Sequence, residues 1–265
     1  MIPSNEIDLA FLCTCLREAG ILALGQRGQM TAEVKSDRTP VTAVDRQVEG
    51  FLIERIAARY PGHLILSEES GLHPGILGAA GAADFAWALD PIDGTRAFAS
   101  GLPVWGISAG VLRRGQPYAG GFFMPVSGEL YWGTLDEAWC NDRRIPPLAP
   151  LDPDSPLTFL GVPSDFYHHF NIRAPRIRSL GSTAAHLAYV ATGAAVGMLT
   201  RNTSLWDLAG VLPLARAAGV QLAYLSGRPF SAGDLLDGRP IREPLLAGLP
   251  DMMETLRNWV EVKHV

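Results

Sequence analysis

Apolar positions along this chain fall into two kinds of run, some at helical spacing and some continuous and short. Leu9, Leu12, Cys13, Leu16 and Ala19 recur at intervals of three and four. They predict a helix ending near Gln26, capped by Ser4 or Asn5, with Gly25 and Gly28 at its end. Val44, Val48, Phe51, Leu52 and Ile56 repeat the pattern and close at Tyr60-Pro-Gly62. Between these helices, 35–40 reads as a polar loop, and 71–83 reads as a surface excursion rich in Gly and Ala.

Continuous apolar runs at 63–69 and 85–89 predict short buried strands. Segments 104–112, 116–124 and 129–132 predict further strands, joined by tight turns at Arg114-Gly115 and Ser127-Gly128. That succession is a meander, so this part of the sheet should be antiparallel. Beyond the Pro- and Asp-rich stretch 141–154, strands at 157–162, 176–180, 196–199 and 220–225 alternate with helical patterns. One helix opens at Gly181-Ser-Thr183 and runs to about Thr192. Another runs from Leu205 to Ala218, capped by Ser204 and kinked by Pro213. The alternation implies a mixed sheet and an α/β (α+β) class. It also suggests two lobes, 1–145 and 146–265.

With 265 residues, 48% of them apolar and 18% charged, the chain can bury a sizeable core. A net charge of −5 and the lack of any basic cluster argue against a nucleic-acid polymer as partner. Every apolar stretch is broken well short of a membrane span, and no basic n-region precedes an apolar core at the N-terminus. A cytoplasmic protein without a membrane partner is expected. Cys13, Cys15 and Cys140 lack metal-site spacing and read as reduced, packed thiols. His168, His169 and His186 read as packed or solvated.

The candidate chemistry lies in Trp87-Ala-Leu-Asp-Pro-Ile-Asp-Gly-Thr-Arg96. Here the apolar strand ends at Asp90, Pro91 turns the chain, and Asp93 follows before a Gly-Thr joint. Such a turn can aim two carboxylates and the Ile92 carbonyl at one point, the all-oxygen set preferred by Mg2+. A helix starting near Thr95 would add backbone N–H groups suited to a phosphate. The strand at 63–69 likewise ends in acids, Glu68 and Glu69, of which one at most can face a shared site. Asp207 opens the first turn of a later helix, where an acid also gains from the helix dipole.

Ser-Glu-Glu-Ser70, Asp-Pro-Ile-Asp-Gly-Thr95 and Trp-Asp-Leu-Ala-Gly210, with Thr-Ala-Val-Asp45 ahead of them, together resemble the inositol monophosphatase family. The likeness runs from about Ser36 to Gly219, in the family's order and approximate spacing. Haloacid dehalogenase-type phosphatases are set aside, because their acids are separated by one residue and these by two. The resemblance implies a five-layered α-β-α-β-α sandwich with the site between the lobes, and a phosphoric monoester hydrolase. It implies two Mg2+ ions, one on Glu68, Asp90 and the Ile92 carbonyl, the other on Asp90, Asp93 and Asp207. A third, looser Mg2+ at Glu68 is left open. Asp45 is implied to pair with the Thr95 hydroxyl and orient the attacking water, while Gly94 and Thr95 hold the phosphoryl oxygens. A homodimer and sensitivity to lithium are implied as well.

The implied substrate is a small phosphorylated metabolite. Gly181, Ser182 and Thr183 match the segment that meets the alcohol. The subgroup that prefers inositol has an acid where this chain has Thr200, itself expected to contact the substrate and followed by Arg201. Inositol 1-phosphate is the first expectation. Histidinol phosphate, adenosine 3′,5′-bisphosphate and fructose bisphosphate are the alternatives, with a non-catalytic metal-binding regulator as the reading from another class.

Overall fold

A computed structural model describes residues 6–27, 33–34, 40–73 and 84–263. Among these, one large sheet runs in the order Arg143–Ile145, Ala138–Cys140, Glu129–Thr134, Gln116–Met124, Gly106–Arg113, Phe85–Asp93, Leu64–Ser67, Gly71–His73. All neighbours are antiparallel except Leu64–Ser67 with Phe85–Asp93, which run parallel. A second, mixed sheet runs Ile177–Arg178, Leu160–Gly161, Gly197–Thr200, Leu245–Gly248, Gln221–Tyr224. Its first two pairings are parallel and its last two antiparallel.

Three apolar clusters fill the spaces between these sheets and the helices, and the one between the sheets lies on both faces of a middle helical layer, which makes five layers. Helices Leu9–Leu24 and Ala43–Arg59 cover the outer face of the large sheet through Leu16, Val48, Leu52, Trp87, Leu89, Val111 and Phe123. The opposite side chains of the same strands, Ala88, Leu112 and Phe122, pack on Leu187, Leu208 and Leu212 between the sheets. Beyond the second sheet, Leu160, Val196 and Leu246 meet Met253 and Leu256 of helix Met253–Trp259. Coverage on both faces explains why the strands read as unbroken apolar runs, not as an apolar-polar alternation. Each fully buried Leu or Phe in these layers contributes roughly 1.5–3 kcal/mol of transfer free energy.

Several expectations are corrected. The first helix begins at Leu9 and is capped by Asp8, whose carboxylate accepts from Phe11 N at 3.1 Å. Ser4, Asn5 and Gly28 lie outside the described residues, as do 35–39 and 74–83. The helix expected over 205–218 is broken, not kinked. Trp206–Ala209 ends at Gly210, and Leu212–Ala217 starts afresh with Pro213 in its first turn, where a missing N–H does no harm. Ser204 makes no side-chain cap; its backbone N instead donates to Asp207 Oδ2 at 2.7 Å. Strand Leu245–Gly248 inserts between 197–200 and 221–224, so 220–225 is not the end of the pattern. No described helix is long and apolar enough to cross a membrane.

Strand Phe85–Asp93 carries the correction that matters most. Pro91 does not end it. The strand continues to Asp93 through a bulge: Asp90 faces Ser108 and Asp93 faces Gly106, so three steps on one strand oppose two on the other. In a regular strand, residues an odd number apart point to opposite faces. The extra residue resets that alternation and turns Asp93 to the same side as Asp90. Pro91 has no N–H to lose from the ladder, and Ile92 N donates to Asp90 Oδ1 at 3.0 Å.

Candidate active site

Two parallel strand ends supply the floor of the site. Ser67 pairs with Leu89, and Glu68 N donates to the Leu89 carbonyl at 3.2 Å, so Glu68 leaves its strand beside Asp90. Asp207 arrives from the opposite layer on the short helix Trp206–Ala209. This helix lies with its backbone directly on the large sheet, because the strands beneath it carry glycine. A Cβ at Gly120 would sit 2.5 Å from Gly210 O, and one at Gly110 would overlap the Ala209 carbonyl. Ser108 Oγ also donates to the Trp206 carbonyl at 3.2 Å. Oxygens of Asp90, Asp93 and Asp207 consequently lie within 4.8 Å of one another. Glu68 lines the same cavity but is not part of that trio.

Asp93 is tied to the far side. Its carboxylate accepts from Ser182 Oγ, from Thr183 N at 3.1 Å and from Ala184 N at 2.8 Å, so it caps helix Thr183–Ala191 from another segment of the chain. Ser182 Oγ in turn accepts from Ala185 N at 3.0 Å. Gly94 permits this approach: its φ is 94°, and a Cβ there would stand 3.0 Å from the Gly181 carbonyl.

Behind the floor, Asp45 is fully buried and serves the start of helix Ala43–Arg59. Thr42 N and Thr42 Oγ1 donate to its Oδ2 at 2.8 and 2.5 Å. The Thr95 hydroxyl has one proton and two acceptors in reach, Asp45 Oδ1 at 3.3 Å and the Ile92 carbonyl at 3.1 Å. Gly94, Thr95, Ile92, Gly181, Ser182 and Thr183 all line a cavity of about 300 Å³ above the acids. Thr200 does not. It is buried with its hydroxyl 2.7 Å from Thr203 Oγ1, and the wall there is Arg201 and Asn202.

The sequence reading left Ser164, Asp165, His186 and Asn202 out of this cavity. Asp165 and Ser164 follow the strand Leu160–Gly161, and the rule that sites gather beyond strand ends would have marked them. His186 is buried, which pushes its pKa down to about 4. Its Nε2 accepts from Leu180 N at 3.1 Å, so it stands neutral with the proton on Nδ1.

Crowded acids set the electrostatics. Asp90 is held well above the usual carboxylate range, by burial first and then by the charges of Glu68, Asp93, Asp207 and Asp45. Burial likewise raises Asp207, with Asp93 and Glu68 adding to it. Asp93 is pushed up to about 6 by burial, against the hydrogen bonds of Ser182, Ala184 and Thr183. Two like charges about 4–5 Å apart repel by roughly 3–4 kcal/mol at an effective dielectric of about 20. An all-carboxylate set this close is what a small divalent cation neutralises, so the donors fit Mg2+.

A pH dependence of stability follows. The unfolded aspartates give up their protons near pH 4, while native Asp93 keeps its own until about 6 and Asp90 and Asp207 stay protonated above the usual carboxylate range. Raising pH through that window therefore favours the unfolded chain of the metal-free protein. Mg2+ at about a hundred times its dissociation constant should raise Tm by about 5–10 °C at pH 8. At pH 5, where protons compete for the same oxygens, the rise should be less than half as large. Calorimetry with and without chelator measures both, and equal shifts at the two pH values would remove the acids from the cation site.

A model of the inositol monophosphatase family matches residues 6–254. The fructose-1,6-bisphosphatase/inositol-1-monophosphatase of Aquifex aeolicus is 30% identical over 219 residues, covering 78% of this chain and 80% of that one. The inositol-1-monophosphatase of Mesorhizobium japonicum is 30% identical over 226 residues, covering 80% and 81%. Among solved structures, an IMPase of Thermotoga maritima superposes with a TM-score of 0.80 at 25% identity, over 94% of this chain and 95% of that one.

Proposed function

Because this chain belongs to the inositol monophosphatase family of phosphoric monoester hydrolases, we propose that it cleaves small phosphorylated alcohols with the help of Mg2+, with inositol 1-phosphate the first substrate to test. The observation that carries this reading is the convergence of Asp90, Asp93 and Asp207 beneath a cavity lined by Gly94, Thr95 and Ser182. Asp90, Asp93 and Asp207 would hold one ion, and Glu68, Asp90 and the Ile92 carbonyl a second; Glu68 leaves a third open. Bound there, Mg2+ supplies positive charge that makes a water more acidic and offsets charge on the departing alkoxide.

This chain's own groups do the rest. When Thr95 donates to Asp45, its lone pairs turn to a water, and that water's proton can pass to Thr95 as the Thr95 proton passes to Asp45. Burial raises the pKa of Asp45, which suits it to receive a proton. The Gly94 and Thr95 N–H groups hold the phosphoryl oxygens. Gly181, Ser182 and Thr183 border the alcohol, and Arg201 and Asn202 take the place at the wall that Thr200 was expected to fill. A cytoplasmic homodimer sensitive to lithium belongs to the same reading.

Phosphate release with Mg2+ from inositol 1-phosphate, histidinol phosphate, adenosine 3′,5′-bisphosphate and fructose 1,6-bisphosphate tests it, with Asp93→Asn as the blank. One ester is expected to lead by about a hundredfold in kcat/KM, or about 2.7 kcal/mol of discrimination. Release no faster than the blank from every ester, with Mg2+ bound, would leave a metal-binding protein without turnover.

A further inference from the structure

Seven charged side chains line the cavity, and they are segregated. Glu68, Asp90, Asp93 and Asp207 form the floor, while Arg96, Arg201 and Asp165 stand on the walls. Arg201 Nη1 donates to Asp165 Oδ2 at 2.8 Å. His169 Nε2 lies 3.5 Å from the same oxygen, which anchors Asp165 from its own segment. The Arg201 side chain is only 22% exposed, unlike a solvated surface arginine.

The pairing has a physical purpose. A guanidinium free to move beside four carboxylates would fold onto them and compete with cations for the floor. Asp165 holds Arg201 in a pair of its own, which leaves the floor to cations and the remaining N–H donors of the fork to a ligand. Such a fork binds carboxylate or phosphate oxygens in pairs. Arg96, exposed as the second residue of the short helix Thr95–Ala99, adds a second guanidinium to the lining. Two guanidiniums against one carboxylate leave the walls with one net positive charge, while His186 stands neutral.

We propose that the alcohol half of the substrate carries an anionic group of its own, a carboxylate or a second phosphate, and that Arg201, held by Asp165, determines this preference. The inference rests on the phosphatase reading for what happens to the ester, but not for the binding of the anion. It disfavours a cationic alcohol such as histidinol, and it ranks a bisphosphate ahead of inositol 1-phosphate, whose alcohol half is uncharged.

Phosphonates, whose P–C bond is not hydrolysed, separate binding from turnover. Calorimetric titration of the Mg2+-loaded protein should find 3-phosphonopropionate bound at least about tenfold more tightly than 3-hydroxypropylphosphonate, about 1.4 kcal/mol. Propane-1,3-diphosphonate is the second arm, and whichever charged analogue binds tighter names the group. Arg201→Met should shrink the ratio to about threefold or less, and Arg201→Lys, which keeps the charge but loses the fork, should fall between that and the wild type. In parallel, 3-phosphoglycerate should be hydrolysed with a higher kcat/KM than glycerol 3-phosphate, the difference lying in KM. Equal affinities in the wild type, or an undiminished ratio in Arg201→Met, would overturn the proposal. Preferential binding without hydrolysis of any ester would uphold the anion site and remove the phosphatase reading. Hydrolysis without any charge preference would do the reverse.

Discussion

Asp207→Asn is expected to lower Mg2+-dependent phosphate release by about a thousandfold or more, about 4 kcal/mol in the barrier, while the metal-free protein becomes more heat-stable at pH 8. The two effects have opposite signs for one reason. Asn keeps an oxygen that can accept from Ser204 N, now 2.7 Å from Asp207 Oδ2, so the start of the short helix survives. What disappears is one negative charge from a group whose ionisation is opposed by burial and by Asp93 and Glu68. Without a cation that loss relieves repulsion; with one, it removes a charged donor where charge is needed. A misfolded variant would lose activity and stability together. Initial rates and calorimetric Tm on the same preparation make the distinction. Activity within about tenfold of wild type would exclude Asp207 from the ligand set.

Gly110→Ala should reach the same site by a mechanical route. An added methyl would overlap the carbonyl of Ala209, a backbone group that cannot rotate aside. Next to it, a Cβ added at Gly120 would stand 2.5 Å from Gly210 O, and one added at Gly210 would stand 2.5 Å from Gly121 O, so the helix has no room to slide sideways either. Interiors packed at crystal density answer such insertions with backbone shifts, here roughly 3 kcal/mol of lost stability. For a chain of this size that is about 6–12 °C in Tm. Because Asp207 rides on the displaced helix, the folded fraction should also lose most of its stabilisation by Mg2+. Gly50→Ala is the matched control. It lies exposed in helix Ala43–Arg59 with nothing within 4 Å of a new Cβ, and should gain about 0.5–1 kcal/mol. A Gly110→Ala protein as stable as wild type would show that the helix can lift off the sheet without penalty.

The sequence revealed some parts of this arrangement, and the reason differs from residue to residue. Glu68 and Asp90 were legible because each follows an apolar strand, and the ends of buried strands deliver polar groups to a common edge; Asp207, in the first turn of a helix, stood out only through the motif Trp-Asp-Leu-Ala-Gly210. Asp93 was expected to converge with Asp90, but by way of a turn. Pro91 read as a stop, and only the pairing with Ser108 and Gly106 shows that the strand continues through a bulge. Asp45 was read through its partner Thr95, whereas Thr42, three positions earlier, makes it half of a capping box. Pro213 was read as a kink because nothing local distinguishes it from a fresh start one turn after Gly210. Strand Leu245–Gly248 was invisible at four residues, since its identity comes from two partners distant in sequence. Asp165 and Arg201 belong to the same class: 36 residues apart, they meet only because Leu160–Gly161 and Gly197–Thr200 run side by side.

The floor of the cavity comes from the large sheet and the helix laid on it, and part of its wall comes from the ends of the second sheet. Under the function proposed above, bond breaking and choice of ester are inherited on separate segments. Residues 162–165 and 201–202 can drift, and a lineage can try new metabolites, without moving an acid that the reaction needs. Over long times such a chain should keep its reaction while exchanging its substrates, and a designer can follow the same route by rebuilding two short loops.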